Sequence, residues 1–114
     1  MQSLAYIEQG TGKNVVLLHG FCESKEIWKD FLPELAKNFR TIAVDIGGFG
    51  ESANLLPQPC TMETLAEQVF ALLKELQISQ AAFVGHSMGG YVALALAEKH
   101  PEIIEKLCLF HSTA

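Results

Sequence analysis

The chain has too few cysteines, too widely spaced, for either a disulfide framework or a zinc site. Cys22, Cys60 and Cys108 form no CxxC pair, so they read as free thiols, with Cys108 in an apolar run expected in the core. Basic residues are also scarce, with 8 Lys and Arg against 13 Asp and Glu. No basic cluster exists, which argues against a nucleic-acid surface. No apolar run approaches the roughly 20 residues of a membrane helix. Met1 to Tyr6 lacks the basic start and apolar stretch of a secretory leader, so a cytoplasmic protein without membrane partners is expected. No His, Cys and carboxylate residues stand at metal-ligand spacing, and neither a metal nor a cofactor is expected.

What is abundant is apolar residues, 49% of 114, enough for the core of one domain. Leu4-Ala5-Tyr6-Ile7-Glu8 suggests a strand, and Gly10-Thr11-Gly12-Lys13 a turn leading into the more buried run Val15-Val16-Leu17-Leu18. Gly12-Lys13 is not the end of a P-loop, because Ile7 stands where that motif needs glycine and Asn14 where it needs a hydroxyl. Between Ser24 and Asn38 the apolar spacing is helical, but Pro33 divides it, predicting a short turn and then a helix from about Pro33. Thr41-Ile42-Ala43-Val44 is the next strand, ended by Asp45. The following loop, Ile46 to Cys60, is expected to lack regular structure. Its Gly48-Phe49-Gly50-Glu51-Ser52-Ala53 fits a GxGxxA dinucleotide pattern in form, yet Pro57 and Pro59 argue against the helix that pattern must open. Thr61 is a plausible N-cap for a helix from Met62 to Leu76 with one apolar stripe. Ala81 to Val84 and Leu107 to Phe110 complete the strands, and His100-Pro101 ends the helix between them. Short apolar strands alternating with helices predict an α/β fold with a mostly parallel sheet covered on both faces.

Val84-Gly85-His86-Ser87-Met88-Gly89-Gly90 lies where a strand meets an apolar helix, and Gly85, Ser87 and Gly89 fit GxSxG. In that pattern a serine on a sharp turn has its hydroxyl exposed, and the positions two before and two after it have room for little more than hydrogen. The first N–H groups of the helix would face the space above Ser87, where the helix dipole favours an oxyanion. A serine hydroxyl needs a general base and a second oxyanion donor. The Met88 N–H would be one donor. The other should come from the loop after Leu18, with Phe21 the natural candidate.

His19-Gly20-Phe21, then Asp45-Ile46-Gly47-Gly48-Phe49-Gly50-Glu51-Ser52, then Gly85-His86-Ser87-Met88-Gly89-Gly90 together resemble the α/β-hydrolase fold family, in the family's order and over nearly the whole chain. The resemblance implies that residues 1–114 are the N-terminal part of one hydrolase domain. It also implies that Ser87 is the nucleophile, that the backbone N–H groups of Phe21 and Met88 form the oxyanion hole, and that Gly20, Gly85 and Gly89 are motif glycines. Members often carry proline where Gly47 stands. The family's acid and histidine lie on loops after later strands, and the chain stops at Ala114.

Each histidine is therefore weighed as a substitute base. His19 suits a structural role, His86 should point away from the serine hydroxyl, and His100 ends a helix. His111 follows the strand expected beside the nucleophile strand and, with Cys22, is expected to line the pocket. Nothing acidic nearby in sequence would orient it. Asp45 is expected to stabilise its loop through an Asx turn with the following glycines rather than to act as the triad acid. The leading expectation is a serine hydrolase acting on a small acyl substrate such as an ester or thioester. A serine here argues against the branches that use aspartate, such as the dehalogenase and epoxide-hydrolase types. The rival expectation is a non-catalytic binding or receptor module on the same fold. The chain is expected to be a truncated piece of a protein of about 250 residues, feeble in catalysis by itself because the acid and base are missing.

Overall fold

Strands apolar on both faces must be sandwiched between helices, and the computed structural model, which describes residues 3–110, has that layering. Its strands are β1 (Tyr6–Gln9), β2 (Lys13–Leu18), β3 (Phe39–Val44), β4 (Ala81–His86) and β5 (Ile104–Phe110). The helices are α1 (Leu32–Leu35), α2 (Met62–Glu75) and α3 (Met88–Lys99). The sheet runs β1-β3-β2-β4-β5. All neighbours are parallel except β1, which lies antiparallel on β3 with Tyr6 opposite Val44.

Period-two alternation sorts the side chains onto the two faces. Val16, Leu18, Ile42, Val44 and Phe83 pack with α2 and α3 residues such as Leu65, Val69, Leu72, Val92 and Leu96. Val15, Leu17 and Ala43 pack on the other face with Trp28 and Leu32. Helix α2 starts at a capping box in which Thr61 Oγ1 accepts from Thr64 N and Thr64 Oγ1 accepts from Thr61 N. Among the described residues no helix is long and apolar enough to cross a membrane.

In the sheet β3 lies between β1 and β2. The short turn and following helix expected around Pro33 are the 3₁₀ helix Lys25–Trp28 and the single-turn α1, with Pro33 in its first turn. Two expectations need correction. The loop after Asp45 is not irregular throughout, since Gly50–Leu55 forms 3₁₀ turns. Cys108 is exposed rather than buried, because β5 stands at the end of the described sheet.

Candidate active site

The sheet order creates the location. From β2 the chain moves to β3 on one side and then crosses back to β4 on the other, so β2 and β4 flank the point where the winding reverses. In parallel sheets the crevice at the C-terminal strand ends beside this point is where ligands bind. Leu18, the last residue of β2, is registered with Gly85 of β4. The segments leaving these two strands are His19-Gly20-Phe21 and His86-Ser87-Met88.

Ser87 forms the corner between β4 and α3 with φ 54° and ψ −115°. Such a backbone is costly for a residue with a Cβ, on the order of 1–3 kcal/mol, and persists only because its surroundings fix it. The Ser87 N–H donates to Phe110 O of β5 at 3.0 Å, and Ser87 O accepts from Gly90 N at 2.9 Å as the helix begins. The flanking glycines are needed for space. A Cβ on Gly85 would lie 2.6 Å from Gly89 O and Gly90 N, and one on Gly89 would lie 2.2 Å from Leu18 O. Met88 is the first residue of α3, so its N–H is among the donors that a helix leaves without an intrahelical partner.

The loop after β2 is held by His19, which is fully buried. Its Nδ1 lies 2.8 Å from Gly20 O, and its Nε2 lies 2.9 Å from Ile46 N. The carbonyl can only accept and the amide can only donate, which fixes the neutral ring with the proton on Nδ1. Burial lowers its pKa, outweighing the bond to Gly20 and the pull of Asp45. Both nitrogens are committed, so the structural role expected for His19 is the one its ring performs. Gly20 O also accepts from Glu23 N at 3.2 Å. The Gly20–Phe21 peptide is trans, and its N–H therefore points opposite to this doubly held carbonyl. Phe21 is 68% exposed and meets Phe49 edge-on at 5.7 Å.

Cys22, next in the loop, is exposed and has φ 61°. His86 Nδ1 is 2.9 Å from Glu23 Oε1. His100 ends α3, where it stacks on Phe70 and bonds Glu67. His111, expected to line the pocket, lies outside the described residues. Among the described residues no group of three or more His, Cys, Asp and Glu side chains is placed to hold a metal ion.

Asp45 is fully buried and does stabilise the loops, but not by an Asx turn with the next glycines. Its carboxylate accepts from Lys25 N and Lys25 Nζ, each at 2.7 Å, and from Glu51 N at 2.8 Å. Burial would raise its pKa, yet these bonds and the Lys25 charge hold it below the usual carboxylate range. Lys25 is itself buried and also pairs with Glu51. Its ammonium is held above its usual range by the two carboxylates, against the opposing effect of burial. Lys25 and Glu23 had no signal in the sequence beyond their place in the loop after His19-Gly20.

A family model described as alpha/beta hydrolase fold matches residues 13–112. The rat bifunctional epoxide hydrolase 2 is 38% identical over 101 residues, covering 87% of this chain and 18% of that protein. The 2-hydroxymuconate semialdehyde hydrolase of Pseudomonas sp. strain CF600 is 36% identical over 108 residues, covering 92% of this chain and 38% of the relative. A thermophilic esterase from Thermogutta terrifontis superposes with a TM-score of 0.92 at 39% identity, over 97% of this chain and 41% of its own. The chain thus spans well under half the length of these relatives.

Proposed function

The chain belongs to the α/β-hydrolase fold family, whose relatives here bear hydrolase names, and from that premise we propose that it supplies the nucleophile and oxyanion donors of a serine hydrolase. Ser87 attacks the acyl carbon of an ester or thioester. The Phe21 and Met88 N–H groups receive the developing oxyanion, the alcohol or thiol departs, and water releases the acid. The observation that carries this reading is the strained φ and ψ of Ser87, held between two glycines that admit no Cβ. Strain of this kind is kept where it presents a reacting atom. Epoxide hydrolase is the activity in one relative's name. The serine at position 87 favours acyl chemistry over it, since that branch is expected to use aspartate.

A fluorophosphonate probe tests the assignment directly. The full-length gene product should gain one probe mass on the peptide containing Ser87, and Ser87→Ala should gain none. Labelling that survives the substitution would reject Ser87 as nucleophile. A binding module without turnover is the competing reading, favoured by one observation: His19, His86 and His100 are bonded to Gly20 and Ile46, Glu23, and Glu67 respectively. Tight ligand binding with negligible multiple turnover by the full-length product would support that alternative.

A further inference from the structure

The two proposed oxyanion donors lie on different segments, Phe21 after β2 and Met88 after β4, and a useful oxyanion hole requires their separation to be fixed. Donors misplaced by about 1 Å can cost a hundredfold in rate. One side chain joins the two segments. Glu23 Oε1 accepts from the Gly20 N–H at 2.7 Å and lies 2.9 Å from His86 Nδ1, immediately before the serine. The contact is tight from both sides, since a Cβ on Gly20 would lie 2.7 Å from that oxygen and 3.0 Å from His86 Nδ1.

We propose that Glu23 is a positioning residue that clamps the oxyanion loop to the nucleophile turn through His86, setting the distance between the Phe21 and Met88 donors. This rests on the serine-hydrolase reading above. The backbone contributes the other half of the arrangement. Glu23 N and His19 Nδ1 both donate to Gly20 O, which aims the Phe21 N–H, and the Glu23 carboxylate ties the preceding peptide, through the Gly20 N–H, to His86 of β4. Burial would raise the pKa of Glu23, but the bonds from His86 and Gly20 N–H keep it lowered, so the clamp carries its charge at neutral pH. A charged acceptor makes these bonds stronger than neutral ones. Neither residue need touch the substrate.

The test is p-nitrophenyl ester turnover by the full-length gene product, with kcat expressed per Ser87 titrated by fluorophosphonate so that misfolded protein is not counted. Glu23→Ala should lower this kcat about tenfold to a hundredfold while KM stays within about threefold. Glu23→Gln retains an oxygen for the Gly20 N–H and should recover most of the loss. A kcat per titrated site within twofold of the parent in Glu23→Ala would overturn the clamp. Amide hydrogen exchange separates this outcome from failure of the hydrolase reading, because it needs no turnover. The Gly20 N–H should be protected in the parent and exchange at least tenfold faster in Glu23→Ala, with α2 amides unchanged. Equal exchange in the two would reject the clamp whatever Ser87 does.

Discussion

Ser87 concentrates strain and proposed function in one residue, and the two can be separated by substitution. Ser87→Ala and Ser87→Gly both remove the hydroxyl, but only alanine keeps a Cβ at φ 54°. Ser87→Gly should therefore be more stable to urea than Ser87→Ala by about 1 kcal/mol, after allowing for the extra freedom of glycine in the unfolded chain. Equal stabilities would show that the turn is not strained. The turn was legible in the sequence because its pattern is local, Gly85 and Gly89 standing two residues either side of the serine, although only Gly85 makes its close contact with the adjoining helix and Gly89 makes its own with Leu18 at the end of β2. Glu23 and Lys25 were not legible. A charged residue in a loop reads as solvated, and only folding brings Glu23 within 2.9 Å of His86, 63 positions away.

At the scale of elements, the loops around the site are fastened to one another by a buried ion pair. Asp45, just past β3, holds the 3₁₀ helix Lys25–Trp28 through Lys25 and the 3₁₀ turns Gly50–Leu55 through Glu51. These segments were underread because 3₁₀ turns lack the long periodicity that exposed α2, whose stripe and Thr61 cap were both readable. The ion pair predicts a pH dependence with a definite sign. A carboxylate whose folded pKa is lowered contributes stability above its unfolded pKa and loses it as pH falls through the folded value. His19, lowered by burial, acts in the same direction at higher pH, because the unfolded chain takes up a proton below about 6.5 that the folded ring resists. Unfolding free energy should thus fall in acid first below about pH 6.5 and again below about pH 4. Lys25→Met should cost about 3–5 kcal/mol at neutral pH by leaving Asp45 buried without its cation. Urea titrations between pH 3 and pH 8, as an approximate span, check both. A flat profile would refute the linkage.

At the scale of the whole molecule, the layers are unequal. Among the described residues the α2 and α3 face is thickly covered, whereas the opposite face carries Lys25–Trp28 and the single turn of α1. An apolar hollow of about 200 Å³ consequently opens on that face between Leu17, Trp28, Phe31, Leu35, Val84 and Phe110. Phe31 and Phe110 are 59% and 54% exposed at its rim. Beside it runs β5, at the end of the described sheet, and a strand in that position offers ladder groups to any chain that can pair with it. The fold class was legible at this scale because alternation of strand and helix dictates a parallel sheet. The thin face was not, since sequence spacing shows which side chains turn inward but not how much of a sheet one short helix can cover. Hydrophobic exposure and an open strand together predict that the 114-residue chain, expressed alone, self-associates. Light scattering after size exclusion should show a mass well above one chain. Phe31→Ser combined with Cys108→Lys should shift it toward the monomer, because the first removes rim hydrophobicity and the second places a charge on the open strand. A parent chain that runs as a monomer at every concentration tested would mean that neither feature is sticky enough to drive association.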